Sequence, residues 1–82
     1  MGKFYTANQE FENYLLELGF TFHTRVEKGE TEEVKYYTEH TTGKQVKINF
    51  KSNLVTLLDK YGRTEDESSS YTDNQIIKFL KK

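Results

Sequence analysis

The sequence predicts a two-layer α+β sandwich, in which an antiparallel meander sheet carries an N-terminal and a C-terminal helix on one face. Apolar and polar residues alternate through the middle of the chain, which indicates strands with one buried face. Amphipathic segments stand at both ends, and a glycine-containing turn (TTGK, residues 41–44) separates two alternating runs. Because helices on one face of a meander bury the apolar sides of both layers, we expect the order α-β-β-β-(β)-α in a single domain, residues 1–82.

Both predicted helices begin with similar five-residue segments, YTANQ at residues 5–9 and YTDNQ at residues 71–75. With Thr6 or Thr72 as the N-cap, the glutamine falls at N3 and completes a capping box. We attribute the similarity to shared capping chemistry, because nothing else in the chain repeats. Apolar stripes follow at helical spacing: Phe11, Tyr14, Leu15 and Leu18 in the first helix, and Ile76, Ile77, Phe79 and Leu80 in the second.

Three runs alternate with the period of a strand, at residues 20–26, 34–40 and 45–50. In the third run, Val46, Ile48 and Phe50 form the apolar side. The residues that we expect to point towards the helices are Phe20, Phe22 and Val26 in the first run. In the second run they are Val34, Tyr36 and Thr38. The opposite, solvent-facing set would then be Thr21, His23, Arg25, Lys35, Tyr37, Glu39, Lys47 and Asn49.

Residues 53–62 fit either a short strand or a helix, and we favour the strand. Its leucines, Leu54, Leu57 and Leu58, suit a short buried strand that leads into a turn at residues 59–62. The next segment, RTEDESSS at residues 63–70, is acidic, rich in serine and without periodicity. Such a composition predicts a mobile loop.

Composition restricts the class of protein. The chain has 82 residues, 15% of them aromatic, and a net charge of −1, so it lacks the basic excess that is usual for nucleic-acid binding. The absence of cysteine excludes disulfides, thiolate metal sites and a cysteine nucleophile, and it favours a reducing cytoplasm. We expect no membrane association, because no segment approaches the roughly 20 apolar residues of a membrane span. Abundant Lys, Asn, Tyr and Phe are what we expect of a bacterial or phage chain from an AT-rich genome.

The sequence contains no recognisable catalytic arrangement. His23 and His40 are the only histidines, and neither stands in a pattern of nucleophile, base and orienting carboxylate. The acidic residues lack the spacing of a calcium loop, and the five glycines are dispersed instead of forming a phosphate-binding loop. We therefore expect no enzyme, no cofactor and no bound metal.

The solvent-facing side of the sheet is the one candidate binding surface. Its basic, aromatic and amide side chains are His23, Arg25, Lys35, Tyr37, Lys47 and Asn49. We interpret the chain as a small non-catalytic interaction module that binds a protein partner, or a second copy of itself, through this face or through an exposed strand edge. The alternative is a single-stranded nucleic-acid-binding module, in which tyrosines stack on bases and lysines contact phosphates. A third possibility is that these side chains only form the solvated coat of the sheet.

Overall fold

The computed structural model describes residues 3–23 and 34–81. The predictions made for Arg25, Val26 and residues 27–33 lie outside these ranges. The described residues form β1 (Phe4–Thr6), α1 (Gln9–Glu17), β2 (Phe20–His23), β3 (Val34–Glu39), β4 (Gln45–Asn49), β5 (Leu54–Leu58), β6 (Thr64–Ser68), β7 (Ser70–Thr72) and α2 (Asp73–Lys81).

Strands β2 to β6 form an antiparallel meander, here called the main sheet, in the order β2-β3-β4-β5-β6. Strands β1 and β7 pair antiparallel in a separate two-stranded ribbon. The predicted fold class, an α+β arrangement of an antiparallel meander with N- and C-terminal helices, is therefore confirmed. The ribbon and strand β6 are additions that the sequence pattern did not predict.

Both helices cover the same side of the main sheet, which we call the inner face. The buried core joins Phe11 and Leu15 of α1 and Ile76 and Phe79 of α2 to the inner-face residues Tyr37, Val46, Ile48, Val55 and Leu57. The inward prediction for Val46 and Ile48 is confirmed, since both are fully buried. Burial of these aromatic and aliphatic side chains supplies most of the stability that a chain of this size can obtain.

The ribbon brings together the two segments that resemble each other. Tyr5 lies opposite Tyr71 in the β1–β7 register, and the Tyr5 ring stacks on that of Tyr14 with centroids 4.4 Å apart. At α2 the predicted capping box is present, because the Gln75 N–H donates to the Thr72 hydroxyl at 3.2 Å and the Thr72 N–H donates to the Gln75 side chain at 2.7 Å.

The N-cap predicted for α1 is wrong. Thr6 belongs to β1, so the helix begins later and Asn8 is its N-cap. The Asn8 side-chain oxygen accepts a hydrogen bond from the Phe11 N–H at 3.0 Å, while its amide donates to the Thr6 hydroxyl at 2.9 Å. Strand pairing of the ribbon thus shifts the helix start by two residues. At the other end, Gly19 follows α1 with φ +98°, a conformation that favours glycine.

The strand favoured for residues 53–62 is confirmed as β5. It follows a turn in which Asn53 has φ 58°, a left-handed conformation that asparagine tolerates. The loop predicted for residues 63–70 is wrong, because this interval contains β6 and the start of β7. Acidic residues are unfavourable inside a sheet, but β6 is an edge strand whose carboxylates reach solvent while its backbone pairs with β5.

The prediction of which β3 side chains point towards the helices is also wrong. Lys35, Tyr37 and Glu39 lie on the inner face, and Tyr36 lies on the opposite, outer face together with Val34 and Thr38. The register shows this, because Tyr37 lies opposite the core residue Val46. Adjacent tyrosines at 36 and 37 leave the phase of the alternation ambiguous, and both are buried, with 1% and 0% exposure. The polar residues 35 and 39 can face inwards because each has its own partner in the fold, as described below.

Candidate functional site

The six residues of the predicted binding face do not lie on one surface. Lys47 and Asn49 are on the outer face, as predicted, whereas Lys35 and Tyr37 are on the inner face. The backbone of His23 pairs with Tyr36 at the end of β2, and its side chain lies outside the described part of the structure. Arg25 is not among the described residues. The aromatic and basic groups expected to act together are thus divided between the two sides of the sheet.

Tyr37 and Lys35 serve instead to attach α1 to the main sheet. The Tyr37 hydroxyl donates a hydrogen bond to the Glu12 carboxylate, and the Lys35 ammonium lies 3.5 Å from the same oxygen. The hydrogen bond from Tyr37 is the main reason why the pKa of Glu12 lies below its usual range. Burial raises the pKa of the Tyr37 hydroxyl, and its bond to the Glu12 carboxylate raises it further. Tyr37 therefore stays protonated as a donor.

On the outer face, polar side chains from four neighbouring strands form one row: Tyr36, Lys47, Thr56 and Glu67. They line a concavity of about 160 Å³. The Thr56 hydroxyl donates to the Glu67 carboxylate at 2.8 Å, and the Lys47 ammonium lies 5.7 Å from the centroid of the Tyr36 ring. These groups interact with one another across the strands, so the outer face forms an internally paired surface.

The edge strand β6 carries three consecutive acidic residues. A bulge in its pairing with β5, where Leu57 pairs with Asp66 but Leu58 pairs with Thr64, leaves Glu65 as the extra residue. Glu65 and Asp66 both reach towards the inner face, since the Glu65 carboxylate lies 3.7 Å from the Lys44 ammonium and Asp66 accepts a hydrogen bond from the Tyr71 hydroxyl at 2.9 Å. Burial, this hydrogen bond and the nearby acidic charges raise the pKa of Tyr71.

Lys44 is a buried lysine, only 8% exposed, next to the turn between β3 and β4. Its ammonium donates to the backbone carbonyl of Phe79 at 2.6 Å and lies 4.8 Å from the centroid of the Phe79 ring. A cation near the C-terminal end of a helix interacts favourably with the last carbonyl groups. Lys44 thus holds the end of α2 to the sheet, with Glu65 as its counter-ion.

The turn between β3 and β4 is built around Glu39. Its carboxylate accepts hydrogen bonds from the Thr41 N–H at 3.1 Å and from the N–H and hydroxyl of Thr42, each at 2.8 Å. The neighbouring His40 has its Nδ1 atom 3.0 Å from the Gly19 carbonyl, which attaches the turn to the end of α1. Glu39 therefore shapes the turn, and His40 attaches it to the end of α1.

Strand β2 is an edge of the main sheet, and among the described strands it pairs only with β3. Backbone groups along a strand point alternately to its two sides. Glu39 donates its N–H to Lys44 across the β3–β4 turn, so the backbone groups of its neighbour Thr38 point the other way, towards β2. Thr38 lies opposite Thr21. The N–H and C=O of Thr21 are therefore the ones directed at β3.

By the same alternation, the N–H and C=O groups of Phe20 and Phe22 point away from β3. Only those of Phe22 lie at an exposed position, because Phe20 is 3% exposed as a whole residue. Phe20 was correctly predicted to be buried, whereas Phe22 lies on the inner side but is 46% exposed because it is on the edge. The Phe22 ring contacts that of Tyr37 at a centroid distance of 5.6 Å, and the Lys35 ammonium lies 5.4 Å from its centroid. An exposed aromatic ring beside outward backbone donors and acceptors is a surface that an additional strand can extend.

The described residues contain no group of three or more His, Asp or Glu side chains that could hold a metal ion. None of the helices in the described ranges is both long enough and apolar enough to cross a membrane. Comparison of the chain with protein-family models, with curated proteins and with solved structures gives no match.

Proposed function

We propose that the protein is a small non-catalytic interaction module that binds an extended segment of a protein partner along the edge strand β2. The observation that carries this proposal is the contrast between the two edges of the main sheet. Strand β2 has no acidic or basic residue between Phe20 and Phe22 and presents a half-exposed phenylalanine. Strand β6 carries Glu65, Asp66 and Glu67 and a bulge.

Charges and bulges on an edge strand are the usual means by which a protein prevents another strand from pairing there. By this criterion β6 is protected and β2 is not. A partner strand beside β2 would exchange hydrogen bonds with the backbone N–H and C=O of Phe22, since Phe20 is buried. Its alternate side chains would lie next to Phe22 on the inner side and Thr21 on the outer side. We expect the partner segment to carry an apolar residue that covers the Phe22 ring, in a reducing compartment such as the cytoplasm.

The nucleic-acid alternative receives less support. Single-stranded nucleic-acid binding needs aromatic and cationic side chains on one accessible surface. Tyr37 is fully buried beneath α1, and Lys35 is near Glu12. Of the three residues, only Lys47 lies on the outer face.

Two variants with matched chemistry test the proposal. Phe22→Glu places a charge on the β2 edge, whereas Tyr61→Glu places the same charge on another exposed aromatic residue, in the turn between β5 and β6. Proteins captured from the source cell by the tagged wild-type chain should also be captured by Tyr61→Glu and should be lost at least tenfold with Phe22→Glu. The same charge at two exposed aromatic positions separates an edge effect from a general effect of charge.

Amide exchange then locates the contact. When the captured partner is added to the isotope-labelled protein, the amide proton of Phe22 should become protected from exchange, because it becomes hydrogen-bonded. Equal capture by wild type and Phe22→Glu, or protection confined to the outer face around Lys47 and Asn49, would overturn the proposal.

A further inference from the structure

We infer that a cavity between two turns of the main sheet binds a small organic anion that carries a flat apolar group. The β3–β4 turn and the β5–β6 turn lie at the same end of the meander. They approach closely, since a Cβ atom at Gly43 would lie 3.1 Å from the Cβ atom of Lys60. The residues that line the cavity are Thr42, Lys44, Asp59, Lys60, Tyr61 and Glu65. None of them belongs to β2, so this inference stands apart from the proposed function.

The size of the cavity indicates a small molecule. Its volume is about 310 Å³. Pockets that hold small molecules occupy roughly 300–1,000 Å³, and one water molecule takes up about 30 Å³ in the liquid. The cavity is therefore much larger than a bare ion requires, and it has room for a ring with one charged substituent.

Lys44 supplies hydrogen-bond donors at this cavity that the protein itself does not use. An ammonium group has three N–H donors, and one of them binds the Phe79 carbonyl at 2.6 Å. The Phe79 ring can meet a second, whereas the Glu65 carboxylate, at 3.7 Å, is too distant for a hydrogen bond. At least one donor of a side chain that is only 10% exposed thus has no acceptor among the described residues. Buried donors are normally hydrogen-bonded, so an acceptor oxygen brought by a ligand would complete this group.

The charges around the cavity favour an anion. The Asp59 carboxylate is occupied within its own turn, where it accepts from the Tyr61 N–H at 2.8 Å and from the N–H and Nε–H of Arg63 at 2.9 and 3.1 Å. Glu65 and Lys44 balance each other's charge. In the described part of the chain, the Lys60 ammonium has no carboxylate partner. One positive charge is therefore left over at the cavity, and it attracts an anionic group.

The Tyr61 ring provides a flat surface beside these cations. It is 71% exposed, and the Lys60 ammonium and the Arg63 guanidinium carbon lie 5.3 and 5.4 Å from its centroid. An exposed aromatic ring offers its face for stacking, and ammonium and guanidinium groups bind carboxylates and phosphates. A ligand that fills the cavity would stack its apolar part on Tyr61 and direct its anionic oxygens towards Lys60 and Lys44.

Titrations of the isotope-labelled protein with small probes test the chemical class at constant ionic strength. Benzoate and phenyl phosphate should shift the amide resonances of Thr42, Lys44 and Tyr61 in a saturable manner, and should also shift the side-chain ammonium resonance of Lys44. The tighter of the two probes names the anionic group. Inorganic phosphate should bind more weakly because it lacks a ring, and benzamidine, a cation of similar shape, should not bind. The inference is overturned if neither aromatic anion saturates the site, if phosphate alone binds as tightly, or if benzamidine binds equally well.

Three variants assign the binding to this cavity. Lys60→Met and Tyr61→Ala should each weaken binding of the better probe by about fivefold or more, since each removes a direct contact. Glu65→Gln should tighten it about twofold or more, because it removes a carboxylate that competes for Lys44. Lys51→Met is the matched control for Lys60→Met, since Lys51 is also an exposed lysine but lies in the β4–β5 turn at the other end of the sheet, and it should bind as wild type does. Unchanged binding by Lys60→Met, or weaker binding by Glu65→Gln, would refute the site.

Discussion

The Tyr37 hydroxyl in the middle of the main sheet donates a hydrogen bond to the Glu12 carboxylate of α1. This bond crosses from one layer of the sandwich to the other at a position where the tyrosine has no exposed surface. Lys35 contacts the same carboxylate, and the Phe22 ring packs beside both Tyr37 and Lys35. The attachment of α1 is therefore continuous with the edge that we propose as the binding surface.

The Tyr37–Glu12 bond should contribute measurably to stability. Tyr37→Phe leaves a poorly exposed carboxylate without its main donor, which we expect to lower the free energy of unfolding by about 1–3 kcal/mol. Urea unfolding of Tyr37→Phe, Glu12→Gln and the double variant gives the coupling between the two groups. A coupling energy near zero would show that the two groups do not stabilise each other.

Glu39 should make stability depend on pH. Burial alone would raise the pKa of its carboxyl, but the hydrogen bonds from Thr41 and Thr42 outweigh burial and lower this pKa from 4.5 to about 2. Because the pKa in the folded state lies below that of the unfolded chain, the stabilisation is complete above about pH 4.5 and is lost as the pH falls towards 2.

The expected loss from this one group is about 3 kcal/mol across the interval, since each pKa unit corresponds to roughly 1.4 kcal/mol. Glu12 acts in the same direction, because its pKa is also lowered in the folded protein. Urea unfolding followed from pH 7 to pH 2 should therefore show a smaller decline for Glu39→Gln than for wild type. Parallel curves for the two proteins would contradict this assignment.

Lys44 should be needed to hold the end of α2. Lys44→Met keeps an apolar stem but removes the donor to the Phe79 carbonyl and the counter-ion of Glu65, with an expected cost of about 1–3 kcal/mol. Lys60→Met is the control, because Lys60 is exposed and its ammonium lies 5.3 Å from the centroid of the Tyr61 ring. Thermal unfolding followed by circular dichroism should show a clear decrease in Tm for the first variant alone. Equal Tm values for both variants would mean that Lys44 is dispensable.

Substitutions at Thr6 and Asn8 test which of the two residues caps α1. Asn8→Ala removes the side chain that accepts the Phe11 N–H and should cost about 1 kcal/mol, as should Thr72→Ala at the start of α2. Thr6→Ala should cost less, since the Thr6 hydroxyl accepts from the Asn8 amide and does not cap the helix. If Thr6→Ala is more damaging than Asn8→Ala in urea unfolding, the cap has been assigned to the wrong residue.

Truncating a side chain in the core should lower the free energy of unfolding more than truncating one at the edge of the sheet. Ile48→Ala removes a fully buried side chain and should cost about 2–5 kcal/mol. Phe22→Ala should cost less than half as much, because its ring is 46% exposed. Comparison of the two variants by chemical denaturation checks this order.

Several elements could be predicted from local pattern alone. Val46 and Ile48 must form the apolar side of their strand, because both neighbours of Ile48 are polar. The capping box of Thr72 and Gln75 is complete within four residues. For residues 54–58 the sequence favoured a strand over a helix but did not decide between them, since a short apolar run suits both. Where the information lies within a few adjacent residues, the prediction agrees with the structure.

The candidate site could be predicted only in part. Lys47 and Asn49 were placed on the correct face, but Tyr36 and Tyr37 are equally aromatic, and the choice between them depends on α1, which lies more than twenty residues earlier in the chain. Glu12 supplies the partner that allows Tyr37 and Lys35 to face inwards. No pattern within β3 contains that information.

The sequence by itself determined the α+β class, the presence of a helix near each end, the inner side of β4 and the absence of cysteine chemistry. Only the tertiary structure decided the facing of β3, the start of α1 at Asn8 and the conversion of the acidic segment 64–68 into a strand. The physical reason is that these three features depend on pairing between distant segments: β1 with β7, β6 with β5, and Tyr37 with Glu12. The unequal edges of the sheet, on which the proposed function rests, arise from the same long-range pairing.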